Sequence, residues 1–301
     1  MAQITAALVK QLRELTGAGV LACKNALVEC DGDIDKAVDA LRERGEAQAV
    51  KKANRIAAEG LVNVAVKDGK GVAVEVNSET DFVAKNDKFR DFVEKVTEQI
   101  IASDASDLEG LNEEKWISDP SKTVREAVVN MVATIGENIS IRRFAKIESN
   151  GLLISYIHGG GRIGVLVDAE AADTDKNIEA IKNVAMQIAA LNPRYVSDET
   201  VDPEFLAHEK EILTTQAAND DSLKGKPANI VEKIIEGRIK KELKEVCLLD
   251  QEYVKESSMS VAQYLKSVGD IKIKSFIRYE TGEGIEKKQE NFAEEVAKQM
   301  Q

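Results

Sequence analysis

Between residues 62 and 76 the chain switches from a helical to an alternating period, and that switch rules out an all-helical fold. Val62, Val64 and Val66 alternate with smaller or polar residues, as do Val72, Val74 and Val76, with Asp68-Gly69 between the two runs. A period of two sends successive side chains to opposite faces of a strand. Asp-Gly tolerates the positive φ of a tight turn. A β-hairpin is therefore expected, with helical periodicity on either side of it.

Three short helices precede the hairpin. Thr5 can cap the first, and Ile4, Leu8, Leu12 and Leu15 fall on one face of it. Gly17 and Gly19 end it. A second helix runs from Val20 to Cys30, and Asp31-Gly32-Asp33 closes it, with Asp33 free to cap a third that carries Ile34, Val38 and Leu41. Gly45 is expected to stop that helix, and a separate basic helix with Lys51, Lys52 and Arg55 to follow. Such a unit has a very small core and is marginal alone, which suggests a recognition module tied to something larger.

After the hairpin come Asn77-Ser78-Glu79-Thr80-Asp81-Phe82 and an amphipathic helix with Phe89, Val93, Val96 and Ile100. Residues 102–118 give no clear period. A helix capped near Ser121 carries Val124, Val128, Val132 and Ile135 up to Gly136. A second sheet pattern spans Ser140–Ile147, Leu152–Ile157 and Ile163–Ala169, with Asn150-Gly151 read as a tight turn. A helix through Ile178, Ile181, Val184 and Ile188 follows. The order suggests a duplicated α+β unit. Two helical runs between Pro203 and Val246 read as an antiparallel hairpin, the sheet resumes at Lys272–Glu280, and a short helix with Phe292 and Val296 ends the chain.

The fold class expected is α+β: a three-helix module (1–55), a core first half (56–138), a second half (139–191 and 247–281), an inserted coiled-coil arm (192–246) and a C-terminal helical module (282–301). With 301 residues, 43% hydrophobic and 31% charged, the chain can bury a sizeable core. The net charge of −12 argues against a nucleic-acid partner, which calls for a basic face. Cys23, Cys30 and Cys247 form no CxxC pair, so neither a disulfide framework nor a zinc site is expected. The opening residues carry charges within an amphipathic helix, unlike a signal peptide, and no run is long enough for a membrane span. A soluble cytoplasmic protein is the expectation.

Several motifs fail on their context. Gly159-Gly160-Gly161-Arg162-Ile163-Gly164 matches G-x-G-x-x-G, but Val165-Leu166-Val167 after it reads as a strand, and a dinucleotide site needs a helix there. Asp31, Asp33 and Asp35 open like a calcium loop, yet Lys36 stands where that loop needs glycine. His158 and His208 lack a nucleophile or ligand partner, although His158 beside the glycine turn is expected to be exposed. No catalytic residue, cofactor site or metal site is expected. Phe82, amid Glu79, Asp81, Lys85, Asn86 and Asp87, reads from pattern alone either as a core anchor for the next helix or as an aromatic wedge for a partner pocket.

Longer motifs resolve that choice. Leu12-Arg13-Glu14-Leu15-Thr16-Gly17-Ala18-Gly19 with Cys23-Lys24-Asn25-Ala26-Leu27, and Glu75-Val76-Asn77-Ser78-Glu79-Thr80-Asp81-Phe82-Val83-Ala84-Lys85, resemble two hallmarks of the translation elongation factor Ts family. Ile135-Gly136-Glu137-Asn138-Ile139, Tyr156-Ile157-His158-Gly159 through Val167, and Gly282-Glu283-Gly284-Ile285 are similar to further family segments. The resemblance covers the whole chain in order, with the arm the least similar part. It implies a guanine-nucleotide exchange factor for elongation factor Tu, with a ubiquitin-associated-like N-terminal module. It also implies a site at Thr80, Asp81, Phe82 and Val83 that disturbs the partner's magnesium, with Phe82 as the wedge and Asp81 orienting the loop. Further partner contacts are implied at Arg13, Lys24, Ile135, Gly136 and His158, and a homodimer through the arm in some members. Without those motifs, an adaptor role remains open.

Overall fold

The computed structural model describes residues 4–16, 18–223 and 226–286. Gly17, Lys224, Gly225 and the expected helix with Phe292 and Val296 lie outside the described residues.

The chain begins with α1 (Ala6–Thr16), α2 (Val20–Glu29) and α3 (Ile34–Lys52). Next come the hairpin β1 (Glu59–Lys67) and β2 (Lys70–Ser78), the one-turn helix α4 (Asp81–Ala84), and α5 (Asp87–Ala102). They lead to α6 (Leu108–Glu113), a small hairpin β3 (Lys115–Trp116) and β4 (Asp119–Thr123), α7 (Val124–Ile135) and β5 (Ser140–Glu148). The plan then repeats. A hairpin β6 (Leu152–His158) and β7 (Ile163–Glu170) leads to α8 (Asp175–Leu191) and a helical pair, α9 (Pro203–Asn219) and α10 (Ala228–Val246). A second small hairpin β8 (Glu252–Tyr253) and β9 (Glu256–Ser260), α11 (Val261–Val268) and β10 (Lys272–Glu280) complete it.

The two large sheets are both antiparallel and share one topology, β1-β2-β5 and β6-β7-β10. The fold is α+β. Asp68 and Gly69 both take positive φ, 51° and 75°, as the expected hairpin turn requires.

The two valine rows of that hairpin look alike in the sequence and do different jobs. Val64 pairs with Ala73 and Val62 with Glu75, so Val62 and Val64 point away from Val72, Val74 and Val76. The second row packs under α5 and α7 with Phe89, Val93, Val96, Ile100 and Val132. The first meets Leu166 of the other sheet. Gly164 permits this close approach, because a Cβ there would lie 2.5 Å from Val62 Cγ1 and from Val64 Cγ2. The second sheet covers its other face with Ile181, Val184, Ile188 and Leu265 of α8 and α11.

Four expectations are corrected. Gly45 does not stop a helix; α3 runs through it to Lys52. Glycine in a helix costs about 1 kcal/mol relative to alanine, and at Gly45 a Cβ would stand 3.5 Å from Ala133 Cβ of α7, an ordinary packing distance, so the helix continues through this position against α7. α7 is capped by Thr123, not Ser121: the Thr123 hydroxyl accepts from the Glu126 amide, and the Glu126 carboxylate accepts from the Thr123 amide. Asn150-Gly151 closes no hairpin, since β5 pairs with β2 and β6 with β7, and the segment carries the chain from one sheet to the other. Leu15, expected on the buried face of α1, is 58% exposed; Leu12, Cys23, Ala26, Leu27 and Ala37 fill the small core of the three-helix unit.

Candidate functional site

The Thr80–Val83 segment opens the connection between β2 and α5. Thr80 is extended and Asp81–Ala84 forms a single helical turn. One turn cannot bury a face of its own, so its neighbours decide where the side chains point. Phe82 is 79% exposed, whereas Val83 is only 7% exposed and joins the core under α5. The anchor at this position is thus Val83, which cannot be a partner-facing residue while it remains in the core. Asp81 pairs with Lys85 one turn on at 2.7 Å, and the Lys85 ammonium beside it holds its carboxyl below the usual aspartate range. Asn86 ends the segment by capping α5 at the Lys88 amide.

The base of this tip is held by the segment after α7. Gly136 ends α7 in the left-handed conformation, at φ 90°, and turns the chain toward β2. The Thr80 amide donates to Glu137 Oε2 at 3.0 Å and the Thr80 hydroxyl to Glu137 Oε1 at 2.7 Å. In return the Asn138 amide donates to Glu79 Oε1 at 2.6 Å, and the Asn138 side-chain amide donates to the Arg55 carbonyl at 2.8 Å. Two motifs far apart in the sequence are therefore one surface. Gly136 is exposed on it, and Ile135 is half-buried against the first core.

The glycine turn lies across a cleft of about 230 Å³ from the tip. Gly159 and Gly160 line one side, and Asp81, Ala84 and Lys85 the other. Gly159, Gly160 and Gly161 all take positive φ between β6 and β7, and a strand follows them as the sequence suggested. The helix N-terminus of a dinucleotide site is missing at this place. The Gly161 carbonyl accepts from the Val62 amide at 2.7 Å, which pins the turn to β1. His158 is exposed at the end of β6, with Nδ1 3.0 Å from the Tyr156 hydroxyl. Arg13 on α1 and Lys24 on α2 are also exposed, and both belong to the three-helix unit.

Glu75 was not singled out in the sequence, although it lies inside the long motif. It is fully buried on the face of β2 toward the second sheet. Arg142 Nη1 reaches it at 3.0 Å, Arg143 Nε at 2.6 Å, the Asn77 side-chain amide at 3.1 Å and the Gly282 amide at 2.7 Å. Burial pushes its carboxyl pKa up, but the donors from Gly282, Arg142, Asn77 and Arg143 outweigh that and leave it below the ordinary glutamate value. The carboxylate fastens the Gly282-Glu283 turn, which follows the last strand of the second half, to the first half. Apart from Asn77, its partners lie far away in the chain, so no local pattern marks it.

Among the described residues no group of three or more histidine, cysteine, aspartate or glutamate side chains could hold a metal ion. Asp33, from the calcium-like run, caps α3 at the Lys36 amide. No helix among the described residues is long and apolar enough to cross a membrane. The cleft by the tip is small, while the exposed aromatic beside it is prominent. Fold and site together define a two-sheet α+β protein whose most distinctive surface is a braced aromatic tip, a feature suited to contact with a macromolecule.

Comparison with known proteins narrows this class. The family model for elongation factor Ts matches residues 79–283, from the start of the tip to the Glu75-bound turn. The chain is similar over its whole length to elongation factor Ts of Clostridioides difficile, 54% identical with 100% of both chains covered. It is 53% identical to that of Clostridium kluyveri, with 99% of both covered, and 50% identical to that of Halothermothrix orenii, with 97% of both covered. The chain belongs to the elongation factor Ts family. Membership makes it an elongation factor of protein biosynthesis, with nucleotide exchange on elongation factor Tu as the implied activity.

Proposed function

We propose that the chain promotes GDP release from elongation factor Tu by inserting the Asp81-Phe82 tip beside the partner's magnesium site. The observation that carries this reading is the contrast at adjacent residues, with Phe82 79% exposed and Val83 7% exposed on a turn braced at Thr80. A large aromatic held out in water is poised to be buried elsewhere, and aromatics dominate the energetics of interfaces.

In a GTPase, magnesium bridges the phosphates of the bound nucleotide. A wedge that displaces the surrounding elements weakens the metal and then the phosphate contacts. Whatever the factor does to nucleotide affinity, the nucleotide does to factor affinity, so incoming GTP releases the factor. Exposed Gly136 and half-buried Ile135 extend the contact beside the tip. His158 and the glycine turn meet a second region of the partner, and Arg13 and Lys24 bring the three-helix unit onto the GTPase domain. On this reading residues 1–55 and 56–138 form the GTPase-facing units, 139–191 with 247–281 the second contact, 192–246 an arm open to self-association, and 282–301 a C-terminal module. The chain performs no covalent chemistry of its own.

The test is release of labelled GDP from elongation factor Tu with catalytic amounts of this protein. Loss of a central aromatic anchor of about 2 kcal/mol corresponds to a roughly 30-fold slower rate for Phe82→Ala. An unchanged rate in a folded variant would remove Phe82 from the mechanism. Binding without any acceleration by the wild type would favour an adaptor.

A further inference from the structure

We propose that Glu137 is a positioning residue for nucleotide exchange: its carboxylate holds the base of the tip to the end of α7, so that Phe82 is presented on a rigid mount. The proposal rests on the exchange reading above and names the group that makes the tip effective.

The first observation concerns Thr80. It occupies the N-cap position of α4, and a threonine there ordinarily accepts a hydrogen bond from an amide of the first turn. Thr123 and Thr174 do so at the same position of α7 and α8. Thr80 makes no such bond. Its hydroxyl donates instead to Glu137 Oε1 at 2.7 Å and its amide to Glu137 Oε2 at 3.0 Å. The Thr80 carbonyl accepts from the Ser78 hydroxyl at 3.1 Å. Every polar atom of Thr80 is thus committed, and the local cap is given up for a long-range tether.

The second observation is that the tether is reciprocal. The Asn138 amide donates to Glu79 Oε1, and Arg55 approaches the same oxygen at 3.4 Å. Glu79-Thr80 and Glu137-Asn138 therefore exchange carboxylates, each backbone amide donating to an acid of the other strand of chain. Both carboxylates accept from backbone amides, and such charge-assisted bonds are stronger than neutral ones. A one-turn helix has too little hydrogen bonding to keep its orientation unaided. Val83 fixes it from beneath and Glu137 fixes it at its entry. With the entry free, Phe82 would have to be ordered as it enters the partner, and that entropy would be taken from the force it can exert.

Amide hydrogen exchange across residues 79–86 and steady-state GDP release from elongation factor Tu together test this. Glu137→Gln keeps the length and shape but offers a single acceptor oxygen to the two Thr80 donors. It is expected to open the tip amides to solvent, leave α5 and β2 protected, and lower the maximal rate about tenfold, the loss typical of one charge-assisted hydrogen bond. The factor concentration for half-maximal rate should change much less. Thr80→Val should give an intermediate loss, and Thr80→Ser, which keeps the hydroxyl, a clearly smaller loss than Thr80→Val. Unchanged protection of the tip in Glu137→Gln, or opened amides with a full maximal rate, would overturn the proposal. An inactive wild type would instead overturn the exchange reading, whatever the amides report.

Discussion

The half from β1 to β5 and the half from β6 to β10 are built alike, down to individual side chains. In the first, Gln99 accepts from the Ile117 amide at 2.7 Å and donates to Glu114 at 2.9 Å. In the second, Gln187 accepts from the Val254 amide at 2.8 Å and donates to Gln251 at 3.2 Å. Each small hairpin then returns a backbone bond, Val124 to Glu114 and Val261 to Gln251, both at 3.0 Å. A capping box starts the helix that follows, Thr123 with Glu126 and Ser260 with Gln263. The halves part company at two connections. Between β2 and α5 the first half inserts the braced tip in residues 79–86, where the second crosses in residues 171–174. Between α8 and the small hairpin the second half inserts α9 and α10, where the first has only α6. Repeated parts make scaffold, which can be reused because its bonds are internal. The candidate working surface is where the repeat breaks.

The strongest way to break that comparison is to erase the difference. Replacing residues 79–86 with Ala171-Ala172-Asp173-Thr174, the connection of the second half, also removes Val83 from the first core; the variant should keep a cooperative, if weakened, unfolding transition and reduce GDP release to the uncatalysed rate. Persisting acceleration would move the working surface off the tip.

Next in size is the joint between the halves. Removing one partner of a buried ion pair costs about 3–5 kcal/mol, so Glu75→Ala should destabilise by that order in chemical denaturation. The pH dependence has a definite sign. Glu75 has a folded pKa below its unfolded value, so the unfolded chain binds the proton first as pH falls. Its contribution is full above the ordinary glutamate value of 4.5 and is lost as pH falls toward the folded value. The stability gap between wild type and Glu75→Gln should therefore shrink on acidification from pH 7, and a gap that widens would contradict the assignment.

The smallest expected effect tests the repetition itself. Gln99→Leu and Gln187→Leu each strand a backbone amide and a side-chain partner, at about 1–3 kcal/mol apiece. Thermal unfolding should show similar losses for the two. A cost at only one site would mean that the halves share geometry and not energetics.

Local periodicity made much of this legible. The Asp68-Gly69 hairpin, the strands from residue 140 to 170, β10 and the amphipathic helices all stand close to where alternation and 3.6-residue spacing put them. The failures have a common cause. Gly45 reads as a helix stop and Asn150-Gly151 as a hairpin turn because each is judged by its neighbours in sequence, while the contacts with Ala133 and with the other sheet come from elsewhere. Residues 102–118 gave no period because α6 and β3 are too short to show one. At the candidate site the motifs marked Thr80, Asp81, Phe82, Gly136 and His158, but not that Val83 turns inward or that Glu137 grips Thr80.

The sequence by itself determined the kinds and order of the longer elements, the outline of the duplicated α+β plan and, through two long motifs, the family. Periodicity and turn chemistry are local, so they survive in a linear text. Tertiary structure alone decided which valine row faces α5 and which the second sheet, because a strand with both faces buried carries no label for either. It also decided that Phe82 stands out while Val83 is buried, since a single helical turn takes its orientation from the groups that hold it, and Glu137 lies 57 residues away.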